Sequence, residues 1–128
     1  MKNKKQDKTN SIYWFSLPEE HDYIASASFL RLYYSDSEAD QYAEQLKAAT
    51  ISQFKAKDIF RASTLSLLGI SNSHVKKDLQ KIKNGENLSP LLLMRNALTM
   101  KLIIADGYHR LCAVYSLNED AFIPCKIV

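Results

Sequence analysis

The sequence predicts a small α+β protein in which a helical amino-terminal segment precedes a small mixed sheet with helices of its own. Three observations lead there. Apolar residues recur at three- and four-residue spacing between Tyr23 and Ala49, short continuous apolar runs take over beyond Pro90, and Asp106-Gly107 breaks one of those runs just before another helical stretch. At 128 residues the chain can bury one core and is short for two; 46% hydrophobic and 24% charged residues, with three Gly and three Pro, make a folding composition. Residues 13–128 are therefore expected to form a single domain, helical over 13–50 and mixed over 51–128, behind a disordered basic tail at 1–12.

Each element has a local reason. Ser16, with Pro18, Glu19 and Glu20 behind it, predicts a helix start, and Tyr23, Ala27, Leu30 and Tyr34 give that helix one apolar face. Ser37, with Asp40 three residues on, predicts a second helix ending near Ala49; its stripe of Ala39, Tyr42, Ala43 and Leu46 suits core packing. Lys55 to Ala62 fits a short helix and a half-buried strand equally. Ser71-Asn72-Ser73 offers caps for a helix from His74 to Lys83, with Val75, Leu79 and Ile82 inward and Asn84-Gly85 as its stop. Leu91–Met94 and Leu102–Ala105 predict two core strands joined by a hairpin connection over Asn96–Thr99. A helix over Tyr108–Tyr115 and a last strand over Phe122–Val128 complete the chain, with Pro124 best placed at a sheet edge.

Composition narrows the function. No run approaches eighteen apolar residues and the amino terminus is polar, so a cytoplasmic protein without a membrane span is expected. Two cysteines, Cys112 and Cys125, make neither a disulfide framework nor a zinc pattern and are expected reduced and buried. The net charge of +3 is unevenly spread: residues 1–8 hold four Lys and one Asp, residues 9–50 two basic and seven acidic residues, and residues 51–128 eleven basic and six acidic. A cationic carboxy-terminal half suits a small anion better than a long nucleic acid, for which the basic tail is the only candidate.

The chemistry concentrates at Asp106-Gly107-Tyr108-His109-Arg110. A glycine between strand and helix permits a sharp turn and close approach of a ligand, and the first amides of the following helix lack internal partners and carry the positive end of its dipole. His109 and Arg110 add donors beside those amides, Arg110 as a planar fork for phosphate. His74, Lys77 and Lys81 share a face of the preceding helix and can turn toward the same anion, or remain a solvated basic face.

Leu88-Ser89-Pro90-Leu91-Leu92-Leu93, then Leu102 through Asp106-Gly107-Tyr108-His109-Arg110 to Ala113, then Ile123-Pro124-Cys125-Lys126-Ile127-Val128, resembles the ParB/sulfiredoxin superfamily in order, spacing and residue type. It is also similar to a group of small bacterial proteins with an Ala-Asp-Gly-Tyr-His-Arg run. The resemblance covers roughly residues 55–128. It implies a nucleotide, ATP or CTP with Mg²⁺, whose phosphates lie on Gly107, His109 and Arg110, with His74, Lys77 and Lys81 facing them and Arg61 and Ser63 as second candidates for the same cleft. Hydrolysis and phosphoryl transfer both stay open; a phosphotransferase branch of the superfamily implies a carboxylate that activates the hydroxyl, for which Asp58 and Asp106 are the candidates, Asp106 with the competing role of capping the turn. Sulfiredoxin chemistry is not expected, because Tyr108 stands where that enzyme has its cysteine, and sequence-specific DNA binding is not expected, because no helix-turn-helix region follows. The alternative is a regulatory or protein-interaction module, or a homodimer, using Trp14, Phe15, Phe29, Tyr33 and Tyr34.

Overall fold

The structure, a computed structural model, describes residues 11–128. Most of the basic tail therefore lies outside the described residues. Ile12, assigned to that tail, packs partly buried against the core, and the chain enters β1 (Tyr13–Trp14) directly. Then follow α1 (Glu20–Leu30), α2 (Asp36–Ala48), β2 (Ser52–Lys55), α3 (Ala56–Ser63), α4 (Ser73–Lys83), β3 (Asn87–Leu88), β4 (Leu91–Met94), β5 (Ile103–Asp106), α5 (Tyr108–Leu117) and β6 (Phe122–Ile127). This is a mixed α+β fold with two small sheets: β1 and β3 pair in parallel, and four strands run in the order β2-β6-β4-β5. Within the larger sheet β6 is antiparallel to β2 and parallel to β4, and β4 and β5 form an antiparallel hairpin.

Alternation along the fully buried β4 divides the core into two layers. Leu91 and Leu93 face α3, α4 and α5, where Ile59, Val75, Ile82, Leu111 and Val114 close one cluster. Leu92 and Met94 face α1 and α2, where Tyr23, Leu30, Ala39 and Leu46 close the other. The amino-terminal helices thus cover β4 and β5 on one face of the sheet.

Several boundaries differ from the sequence expectation for identifiable reasons. The first helix begins at Glu20, not at Ser16, because the Phe15 amide donates to Leu88 O (2.9 Å) and holds the chain extended, while the Glu19 amide donates to Asp22 Oδ2 (2.8 Å) and caps α1. It ends at Leu30; residues 31–34 turn so that Ser35, not Ser37, caps α2, its hydroxyl accepting from Glu38 N (3.2 Å) and Glu38 Oε1 accepting from Ser35 N (3.1 Å). The ambiguous stretch from Lys55 is helical: β2 ends at its first residue and turns directly into α3. Pro124 is not at an edge: β6 is an inner strand. Its pairing with β4 begins only at Cys125, so the missing proline donor falls outside that ladder. Lys126, on the face of β6 toward the amino-terminal helices, is buried; its Nζ donates to Lys47 O (2.7 Å) at the end of α2 and lies over the Tyr23 ring. No helix among the described residues is long and apolar enough to cross a membrane.

Candidate functional site

At the end of β5 the chain turns through Gly107, whose φ of +112° lies in the left-handed region that side chains avoid. A Cβ there would lie 2.7 Å from Leu91 Cγ and 3.0 Å from Arg110 Nη2, so the turn packs directly on the buried β4. α5 starts at the next residue with no side-chain cap, leaving its first amides to face whatever occupies the space in front of them. That space is a polar cleft of about 230 Å³ between the first turn of α5 and one face of α4.

The structure brings both predicted groups to this cleft. Asp106, Gly107, Tyr108, His109 and Arg110 line one wall, and His74, Lys77 and Lys81 line the other. Asn72 sets the start of α4 by accepting from His74 N (2.9 Å) and Val75 N (3.2 Å); Val75 and Ile82 pin that helix to the core, which turns the opposite face outward. The His74 and His109 rings lie 4.8 Å apart between centroids, tilted by 40°. Burial, with the neighbouring His74, holds the pKa of His109 below the ordinary histidine value; Arg110 acts in the same direction and Asp78 opposes it.

Asp78 is the residue that sequence reasoning missed. It sits among the cleft residues, one turn beyond His74 and between Lys77 and Lys81. Burial raises its carboxyl pKa, against the lowering fields of Arg110, Lys81, His109 and His74. The signal was present in the i, i+4 spacing of His74 and Asp78, but a search for cations along that face passes over an acid.

Arg110 is more embedded than a phosphate fork on the surface. Its Nε donates to Ser89 O (2.9 Å), and Nη2 donates to Asp106 Oδ2 (2.9 Å) and to Pro90 O (3.4 Å). The guanidinium thereby ties the Ser89-Pro90 turn to the Gly107 turn. Asp106 does not cap the turn as expected; its carboxylate faces back to Arg110, where burial raises its pKa and Arg110 counteracts. Tyr108 directs its hydroxyl to Ser66 O and so holds the loop between α3 and α4 beside the cleft.

Arg61, Ser63 and Asp58 do not reach this cleft. Arg61 is exposed and pairs with Asp58 (3.6 Å) on α3, while the buried Ser63 hydroxyl donates to Phe60 O (2.8 Å) and accepts from Leu65 N (3.3 Å), finishing α3. The left-handed Thr64 that follows turns the chain away, so α3 directs its polar face elsewhere. Both cysteines are free and buried; burial raises the Cys112 thiol and pushes Cys125 up to about 12, which leaves neither as a ready nucleophile. Among the described residues, Glu19, His21 and Asp22 are the one group of histidine and carboxylates close enough to share an ion, and the Asp22 carboxylate already accepts the Glu19 amide at the start of α1.

The cleft therefore offers backbone amides, two lysines and two imidazoles to an anion with several oxygens; of its two carboxylates, Asp106 is engaged by Arg110 and Asp78 is able to accept a proton. No family model, curated protein or solved structure matches the chain.

Proposed function

We propose that this chain is a ParB/sulfiredoxin-like protein of the bacterial cytoplasm that binds the phosphates of a nucleotide, ATP or CTP with Mg²⁺, in the cleft between α4 and the first turn of α5. The observation that carries the reading is the convergence of the uncapped α5 amides with His74, Lys77, Lys81 and His109 on one polar cleft. The donor set fits a phosphate chain, and the Gly107 turn lets oxygen atoms approach the backbone. A bound Mg²⁺ would supply charge neutralisation on the phosphates. The lysines and amides would hold charge on phosphoryl oxygens, and Asp78 or a neutral His109 would take a proton from an attacking hydroxyl or water.

The test is the thermal midpoint with ATP, CTP or GTP, with and without Mg²⁺. A ligand that binds the native state raises it, and His109→Ala and the Lys77→Ala/Lys81→Ala pair should abolish the rise. No shift with any nucleotide or with inorganic phosphate sinks the reading. Ile24, Leu32 and Tyr33, exposed on and just after α1, favour the second reading of an interaction module or homodimer, supported if a concentration-dependent dimer accompanies an absence of ligand shifts.

A further inference from the structure

A chain of polar contacts links the amino-terminal helices to the cleft. The Ser89 hydroxyl donates to Glu19 Oε1 (3.0 Å), the Glu19 amide donates to Asp22 Oδ2 (2.8 Å), and the Asp22 carboxyl is near enough to that of Asp106 to raise its pKa. Asp106 Oδ2 accepts from Arg110 Nη2 (2.9 Å), and Arg110 Nε donates to Ser89 O (2.9 Å), which returns to the start. Asp22 is 2% exposed and Ser89 6%, so the links that end on them lie in a space where a lost partner is poorly replaced by water. Four separate elements contribute: the first turn of α1, the Ser89-Pro90 turn, the end of β5 and the first turn of α5.

We infer that Glu19 and Asp22 are positioning residues for the phosphate cleft: through the ring they fix the Arg110 guanidinium and the Ser89-Pro90 turn, so that the amino-terminal helical layer is part of the binding machinery. This rests on the proposed reading of the cleft. Glu19 sets Ser89 from below. Asp22 holds the Glu19 amide, and Asp106 alone among the ring's acids is bonded to Arg110. Other charged groups lie around the ring: His21 Nε2 is 3.4 Å from Asp22 Oδ1 on α1, and Asp78 on α4 and His109 on α5 face Arg110 from the cleft side. Without Asp22, the Glu19 amide loses its acceptor, so Glu19 no longer fixes Ser89, whose carbonyl holds Arg110 Nε.

The experiment measures two things on the full chain: the Kd for ATP with Mg²⁺ and for inorganic pyrophosphate, and the exchange protection of the Arg110 Nε–H by NMR. Asp22→Ala and Glu19→Ala are each expected to weaken binding about tenfold and to expose the Nε–H. Asp22→Asn, whose side-chain oxygen can still accept from Glu19 N, is expected to restore both. Leu30→Ala, which hollows the same helical layer away from the ring, should lower the thermal midpoint and leave Kd unchanged. Glu19, partly exposed, carries the test if Asp22→Ala does not fold. Equal weakening by Leu30→Ala, or wild-type Kd with a protected Nε–H in both alanine variants, overturns the inference. If the wild-type chain binds neither probe, the cleft reading fails, and the positioning claim is decided by the Nε–H alone: protection kept in the alanine variants sinks it, protection lost upholds it.

Discussion

His74 and His109 face each other across the cleft at 4.8 Å between ring centroids, one from the first turn of α4 and the other from the first turn of α5. The nearby His74 discourages protonation of His109, and an anion between the rings opposes that effect.

The first prediction follows from that pair. His109 has a lowered pKa in the folded chain, so the folded state takes its proton less readily than the unfolded one. Its contribution to stability is therefore present above the unfolded value of 6.5 and is lost as pH falls through it. A bound phosphate favours the charged ring, so nucleotide affinity should rise between about pH 8 and about pH 6. Calorimetric titration across that range should show the rise, and His109→Gln should flatten it.

Gly107→Ala tests the turn. An alanine Cβ would meet Leu91 Cγ at 2.7 Å in a left-handed backbone, and Leu91 is fully buried. Strain and overpacking together should cost roughly 2–4 kcal/mol. Urea denaturation measures the loss; a fall of less than about 0.5 kcal/mol would show that the turn is not constrained as described.

Arg110→Ala is expected to be a folding variant as much as a binding one. It removes bonds to Ser89 O, Pro90 O and Asp106, and leaves a mostly buried carboxylate without its cation. A loss of roughly 2–4 kcal/mol is expected. Asp106→Asn with Arg110→Ala should be less damaging than the sum of the two single changes, since the unpaired charge disappears.

Lys77→Ala with Lys81→Ala probes the ligand with little structural disturbance. Both lie on the outward face of α4, away from Val75 and Ile82, so stability should stay within about 0.5 kcal/mol. Affinity for ATP should fall, and its dependence on salt should flatten, because fewer cations remain to be screened. Unchanged affinity at low salt would place the anion elsewhere.

The site was legible in sequence to the extent that its parts are local. The Asp106-Gly107 break, the helix beginning at Tyr108 and the i, i+3, i+7 spacing of His74, Lys77 and Lys81 are short-range patterns, and the structure joins those two segments in one cleft. Arg61 and Ser63 were misplaced because their place depends on how α3 leaves β2 and ends at Thr64. Asp58 was favoured over Asp78 as an acid, since nothing local says which helix lines the cleft.

Local spacing, capping chemistry and the Asp106-Gly107 break were enough to mark β4, β5, β6, most of the helices and the turn before α5, but not the short β1 and β3 or the split between β2 and α3. The tertiary structure alone decided that α1 and α2 pack over β4 and β5, that Pro124 runs through an inner strand, and that Arg110 directs its fork to Ser89, Pro90 and Asp106. Each of those depends on residues far apart in sequence meeting in a space from which water is excluded, where an unpaired polar group is costly, and no periodicity along the chain encodes which partner will arrive.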